Sequence, residues 1–222
     1  MYATQIRETL KAVKENNILK MYVAETVLNF MSNREFESSL LANETVEATV
    51  AFIDICRFTT ISEKESPDTV VKLLNNYFEV IVKEIINQGG YIDKFIGDAI
   101  MAVFRGDYHL DRSLDAAIAV RTKISALPKL ETEFKPEVAI GINSGEMISG
   151  NIGSATLKRL DYTVIGDTVN TAQRLQSVAG PGQILINESC FNKVKESFNC
   201  KKAGDVNLKN KEKSVTVYNV LD

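Results

Sequence analysis

Tyr91-Ile92-Asp93-Lys94-Phe95-Ile96-Gly97-Asp98-Ala99-Ile100-Met101-Ala102-Val103-Phe104 is the stretch whose reading decides the fold. Two short apolar runs, residues 91–96 and 99–104, are separated only by Gly97-Asp98. Gly-Asp between strands is a two-residue hairpin signal, because such turns need positive φ. A tight hairpin between longer helical stretches points to a sheet that mixes hairpins with helical crossovers.

Working outward, Ala48–Ile53 is a nearly continuous apolar run bounded by Glu47 and Asp54, which suits a buried strand. Ser66-Pro67-Asp68 opens a helix, with Ser66 as N-cap and Pro67 at a first position that needs no amide donor. Val70, Leu74, Tyr77, Ile81 and Ile85 form its apolar face, and Gly89-Gly90 ends it. Downstream, Leu114, Ile118, Arg121 and Ile124 recur at helical spacing over residues 114–127. Strands are expected at 137–143, 160–165, 183–186 and 215–220, with a Gly-rich stretch through Gly153 making turns and a third helix capped by Asp167. This order implies an α/β (α+β) fold with a ferredoxin-like βαββαβ core, helices packed on a mixed sheet.

The first 45 residues or so read differently. Ile6, Leu10, Val13 and Asn17 form a short heptad-like stripe, either an N-terminal helix packed on the domain or a dimerising signalling helix. An amphipathic stretch, Tyr22–Met31, and a polar loop, Ser32–Thr45, follow. We therefore expect a linker helix over 1–21 and one domain over 22–222.

The bulk properties exclude several classes. The chain has 222 residues, with 26 Lys+Arg against 29 Asp+Glu, a net charge of −3. At 45% hydrophobic and 25% charged, with four Pro and twelve Gly, it is a globular composition rather than a disordered or collagenous one. No apolar run approaches the roughly 18 to 20 residues that span a bilayer. Met1–Lys20 is too polar for a signal peptide. Cys56, Cys190 and Cys200 have no metal-ligand spacing, which fits a reduced cytoplasm. The slightly acidic balance argues against nucleic acid as a partner.

Three segments could carry chemistry. In Phe52-Ile53-Asp54-Ile55-Cys56-Arg57-Phe58-Thr59-Thr60, a carboxylate ends a buried strand, and the following residues can start a helical turn that offers N–H groups to an anion. Asp98 lies at the hairpin tip, so if the hairpin flanks the first strand, Asp54 and Asp98 meet at one edge. Two facing carboxylates repel unless a cation lies between them, and oxygen ligands point to Mg²⁺ shared with phosphates. On the third helix, Asn170 and Arg174 are four residues apart on one face, an amide beside a guanidinium that suits a sugar next to a phosphate. Each has a plainer reading alone: a strand-capping Asp54, an ordinary turn Asp98, a solvated Asn170 and Arg174. His109, between Asp107 and Asp111, reads as a solvated loop residue, Cys56 as structural, and Lys201, Lys202, Lys209, Lys211 and Lys213 mostly as solvation of a sheet edge.

Taken together, FIDICRFT (52–59), KFIGDAIMAVF (94–104), GINSGEMISGNIG (141–153) and DYTVIGDTVNTAQRL (161–175) resemble the class III nucleotidyl cyclase catalytic domain, in order and spacing. The resemblance implies that Asp54 and Asp98, with the Ile55 carbonyl, bind two Mg²⁺ (or Mn²⁺) ions. It makes Lys94 the adenine-accepting lysine and Thr163 the second base-recognising position. A Thr there marks a subclass that includes bicarbonate-responsive adenylyl cyclases. It gives Asn170 a ribose-orienting role and Arg174 a transition-state role. Lys211 and the amides around Phe58 and Thr59 would hold the triphosphate. The implied reaction is ATP to 3′,5′-cyclic AMP and pyrophosphate at a site shared by two protomers of a homodimer, under a sensor absent from this chain. Arg57, Asn210 and Ala139 depart from the family pattern, which often has Gly, Gly and Arg there. Alternatives are a guanylyl cyclase, disfavoured by Lys94 and Thr163, a diguanylate cyclase or polymerase-palm relative, disfavoured by Ile96-Gly97-Asp98-Ala99, and a catalytically silent nucleotide-binding module.

Overall fold

The computed structural model describes residues 43–128, 135–154, 156, 159–207 and 214–222. The expected linker helix over 1–21, the stretch Tyr22–Met31 and Lys211 lie outside these residues.

The strands are β1 (Glu44–Ile55), β2 (Tyr91–Ile96), β3 (Ala99–Arg105), β4 (Val138–Ser154), β5 (Arg159–Ile165), β6 (Ile184–Asn187), β7 (Cys200–Val206) and β8 (Val215–Val220). The helices are α1 (Phe58–Ser62), α2 (Pro67–Asn87), α3 (His109–Ser125), α4 (Asp167–Val178) and α5 (Glu188–Val194). The sheet runs β2-β3-β1-β4-β6-β8-β7, with β5 paired to β4. Its first four strands have the order that β1-α2-β2-β3-α3-β4 connectivity gives a ferredoxin-like core, with β1 and β3 antiparallel. Parallel pairing of β4 with β6 makes the sheet mixed.

The local signals explain most of these elements. Ser66 Oγ accepts the Thr69 N–H at 3.3 Å, and Pro67 is the first residue of α2, as its missing N–H predicts. Ile96 pairs with Ala99, so Gly97-Asp98 is a two-residue turn, with Gly97 at φ +62°. The apolar face of α2 buries Tyr77, Ile81 and Ile85 against α3 residues Leu114, Ala117, Val120 and Ile124 and sheet residues Ile53, Ile100 and Ile140. Buried Glu84 pairs with Lys123 at 2.6 Å across α2 and α3. A separate cluster, Leu175 with Leu185 and Val217, seats α4 on the opposite face of the sheet.

Several boundaries differ from expectation. β1 begins at Glu44, so Thr45 is strand rather than loop. α3 begins at His109, five residues before Leu114, because its first turn packs Leu110 into the core. The residue before α4 is Gly166, with Asp167 inside the first turn, where its charge faces the positive end of the helix. α5 and β7 are additional: Asn187 caps α5 by accepting the Cys190 N–H at 2.9 Å. β7 is the edge strand, and its exposed Lys201 and Lys202 solvate that edge as expected.

The chain divides into two compact units, one holding Thr45–Ile148 and Ile165–Asp222, the other including Ser149–Val164. In the second, Ser149 Oγ donates to Tyr162 Oη at 2.9 Å.

Candidate active site

The register of β1 on β3 builds the acidic pair. Asp54 lies opposite Ala99, the residue immediately after Asp98, so the strand end and the hairpin turn meet. Asp54 is flanked by the fully buried Ile53 and Ile55 and is itself half-buried. Burial first, and the Asp98 carboxylate second, push its pKa from 3.8 up to about 6. A carboxylate in this setting is stabilised by a proton or by a cation. The donor set is oxygen only, which fits a hard divalent ion such as Mg²⁺. Among the described residues no cluster of three or more His, Cys, Asp or Glu side chains forms a metal site. Two carboxylates therefore leave coordination positions for backbone carbonyl, water or phosphate. The Ile55 side chain is buried in the core, so only its main chain is available to a ligand.

The chain then turns sharply. Cys56 N donates to Glu137 O at 2.9 Å, and Arg57 takes φ +63° and ψ 18° before α1 begins. Phe58 is buried and Thr59 exposed at the start of α1. Burial, then Asp54 and Glu137, push the Cys56 thiol up to about 11, which keeps it protonated and inert. Left-handed φ at Arg57 costs a residue with a Cβ roughly 1 to 2 kcal/mol; glycine avoids that cost, and its greater unfolded-state entropy offsets part of the gain. Arg57→Gly is therefore expected to stabilise the fold by about 0.5 to 1 kcal/mol in urea denaturation. An unchanged or lower midpoint would show that Arg57 is not strained.

Lys94 sits on β2, the edge strand next to β3. A register shift between Ile92 and Lys94 interrupts the alternation of side chains, and Lys94 Nζ lies 3.4 Å from Asp93 Oδ2. The Asp93 side chain is 1% exposed and that of Lys94 36%, so a buried anion holds the ammonium near the surface. Thr163 is buried on β5.

Asn170 and Arg174 are on α4, whose opposite face buries Val169, Ala172 and Leu175. Asn170 is exposed and Arg174 half-buried. Among the described residues neither side chain has a hydrogen bond or ion pair, and none links them to Asp54 or Asp98. The acidic pair and the amide–guanidinium pair are thus two separate groups on one chain. Ala139, where the family pattern often has Arg, is buried in β4.

His109 is not a solvated loop residue. It is the first residue of α3, and Nδ1 is 2.7 Å from Oγ1 of the fully buried Thr49 and 3.5 Å from Ser144 Oγ. Burial lowers its pKa, so the ring is neutral and ties α3 to β1 and β4. The sixty-residue separation from Thr49 leaves no local signal for this contact.

Residues 40–221 match the family described as the adenylate and guanylate cyclase catalytic domain, and the chain belongs to that family. It is 36% identical over 194 residues to an adenylate cyclase of Anabaena cylindrica, covering 81% of this chain and 38% of that one. It is similar in structure to the adenylyl cyclase CyaB from P. aeruginosa, with a TM-score of 0.72 and 33% identity over 82% of this chain and 97% of that one. It is also similar to the guanylate cyclase domain of RhGC from Catenaria anguillulae, solved in complex with GTP (TM-score 0.73, 28% identity, 80% and 98% covered). The chain spans well under half the length of the curated relatives it matches, 30% in the case of uncharacterized proteins from Mycobacterium tuberculosis and Mycobacterium bovis. Among the described residues no helix is long and apolar enough to cross a membrane.

Proposed function

We propose that this chain is an adenylyl cyclase that converts ATP to 3′,5′-cyclic AMP and pyrophosphate at a site shared by two identical protomers. The observation that carries the reading is the Asp54–Asp98 pair, whose mutual repulsion and partial burial favour a bound cation.

The 3′-oxygen of the ribose attacks the α-phosphorus. Its proton leaves to solvent, and the bond to the β-phosphate oxygen breaks to release pyrophosphate. Divalent ions held by Asp54, Asp98 and the Ile55 carbonyl would lower the pKa of the 3′-hydroxyl and offset charge on the leaving pyrophosphate. Lys94 donates to the adenine ring, and Thr163 completes base recognition with its hydroxyl. The Asn170 amide orients the ribose, and Arg174 presents its fork to the α-phosphoryl oxygens as charge builds there. Lys211 and the main-chain N–H groups of Phe58 and Thr59 hold the triphosphate. In this reading the two residue groups meet across a homodimer, with two sites per dimer. Lys94 and Thr163 support ATP over GTP, and Thr163 supports the bicarbonate-responsive subclass.

Product analysis with ATP and with GTP, under Mg²⁺ and Mn²⁺ and over a range of protein concentration, tests the reading. Cyclic AMP formation with activity per chain rising with concentration is the expected result. A preference for GTP overturns the substrate, and nucleotide binding without product assigns a silent binding module. In the same assay, a flat response to bicarbonate at fixed pH removes the subclass.

A further inference from the structure

α4 carries Asn170 and Arg174, and their side chains have no hydrogen-bond partner among the described residues, so only the placement of the helix places them. Two features of β4 set that placement. At Gly141 the helix backbone approaches so closely that a Cβ would overlap Ala172 O and Gln176 N. This contact fixes distance but is non-directional, and a helix can slide or roll over it. Two residues on, Asn143 Nδ2 donates to the Thr168 carbonyl at 3.1 Å, in the first turn of α4. That bond is directional and fixes the helix along its axis.

The orientation of the Asn143 amide follows from its partners. The Cys190 N–H can only donate, so Asn187 turns Oδ1 toward it, at 2.9 Å. Asn187 Nδ2 then faces Asn143 Oδ1 at 2.8 Å, which leaves Asn143 Nδ2 for the Thr168 carbonyl, an acceptor only. The Cys190 thiol adds a second, weaker donor to Asn143 Oδ1 at 3.6 Å. Asn143 is 5% exposed, so water does not replace a lost partner cheaply. Thr168 Oγ1, donating to Glu146 O at 2.8 Å, adds a second bond from the same turn to β4.

We propose that Asn143 is a positioning residue that sets α4 for catalysis, with Asn187 fixing the sense of its amide. The proposal rests on the roles given above to Asn170 and Arg174. The test is a double-mutant cycle for the cyclase reaction. Asn143→Ala lowers kcat by about 10-fold or more, as a misplaced catalytic group does, while KM for the nucleotide stays within about twofold. In an Asn170→Ala/Arg174→Ala background, Asn143→Ala has no further effect on kcat, because both groups it positions are gone. Asn187→Asp keeps the cap on Cys190 N but removes the Nδ2 donor. It should reproduce the kcat loss, again only when Asn170 and Arg174 are present, and it serves if Asn143→Ala does not fold. Independent, multiplying losses in the combined variants overturn the positioning role and leave the cyclase reading intact. A wild-type chain that forms no cyclic product overturns both.

Discussion

Asp54→Asn is expected to make the metal-free protein more stable at pH 8 and to abolish its turnover. The sign follows from the acidic pair. In the folded chain Asp54 has a pKa of about 6, raised from 3.8 by burial and by Asp98. The fold therefore binds this proton more tightly than the unfolded chain does. Its stabilising contribution is complete below about pH 4 and is lost as pH rises through about 6. At pH 8 the wild-type fold holds an ionised carboxylate where a neutral group is preferred, and asparagine removes that cost. Full burial would make the difference about 3 kcal/mol, and for a half-exposed group roughly 1 to 1.5 kcal/mol remains, a few degrees in Tm. Near pH 4 the two proteins should converge. Adding Mg²⁺ or Mn²⁺ should stabilise the wild type and leave the variant nearly unmoved, reversing their order. Turnover should fall by about 10³-fold or more, since a metal-held oxygen contributes several kcal/mol to such reactions. Thermal unfolding in chelator and in metal, at pH 4, 6 and 8, measures all of this. A variant less stable than wild type in chelator at pH 8 removes the acidic pair as the locus of strain.

Arg174→Ala is expected to reduce kcat by about 10² to 10³-fold, the range for removal of one transition-state donor, with ATP affinity little changed. The guanidinium is half-buried, one turn beyond Asn170, and pairs with no described carboxylate. Its charge is therefore available to a substrate rather than neutralised by the fold. Arg174→Lys should recover only part of the loss, because an ammonium keeps the charge without the planar fork. Comparison of kcat with equilibrium binding of a non-cyclising ATP analogue separates the roles. Equal losses in binding and turnover would make Arg174 a ground-state contact.

The acidic pair shows how much of this site was legible in the chain. Gly97-Asp98 between two apolar runs specifies a two-residue turn, and that turn sets the register of β2 on β3. Asp54 at the end of an apolar run specifies a strand end, so pairing β1 with β3 brings the carboxylates together. Asn170 and Arg174 were legible because helical period alone puts them on one face. His109 was not. Its local setting of Asp107, Tyr108 and Asp111 is polar, and only the packing of α3 over β1 sets its ring against buried Thr49. α5 was missed for a related reason: seven residues are too short to show a period, and its cap, Asn187, is recognisable only once β6 has ended there.

By itself, then, the sequence determined the strands and helices of the core up to β4, the hairpin turn with Asp98 at its tip, the strand that ends at Asp54 and the face of α4 that meets solvent. Each follows from interactions between residues a few positions apart, where turn geometry and helical or strand period leave little choice. The tertiary structure alone decided that Asn143 in β4 holds Thr168 in α4, and that α4 lies against Gly141 closely enough to leave no room for a side chain. A buried amide takes whichever donor or acceptor distant elements bring to it, and no local pattern encodes that meeting.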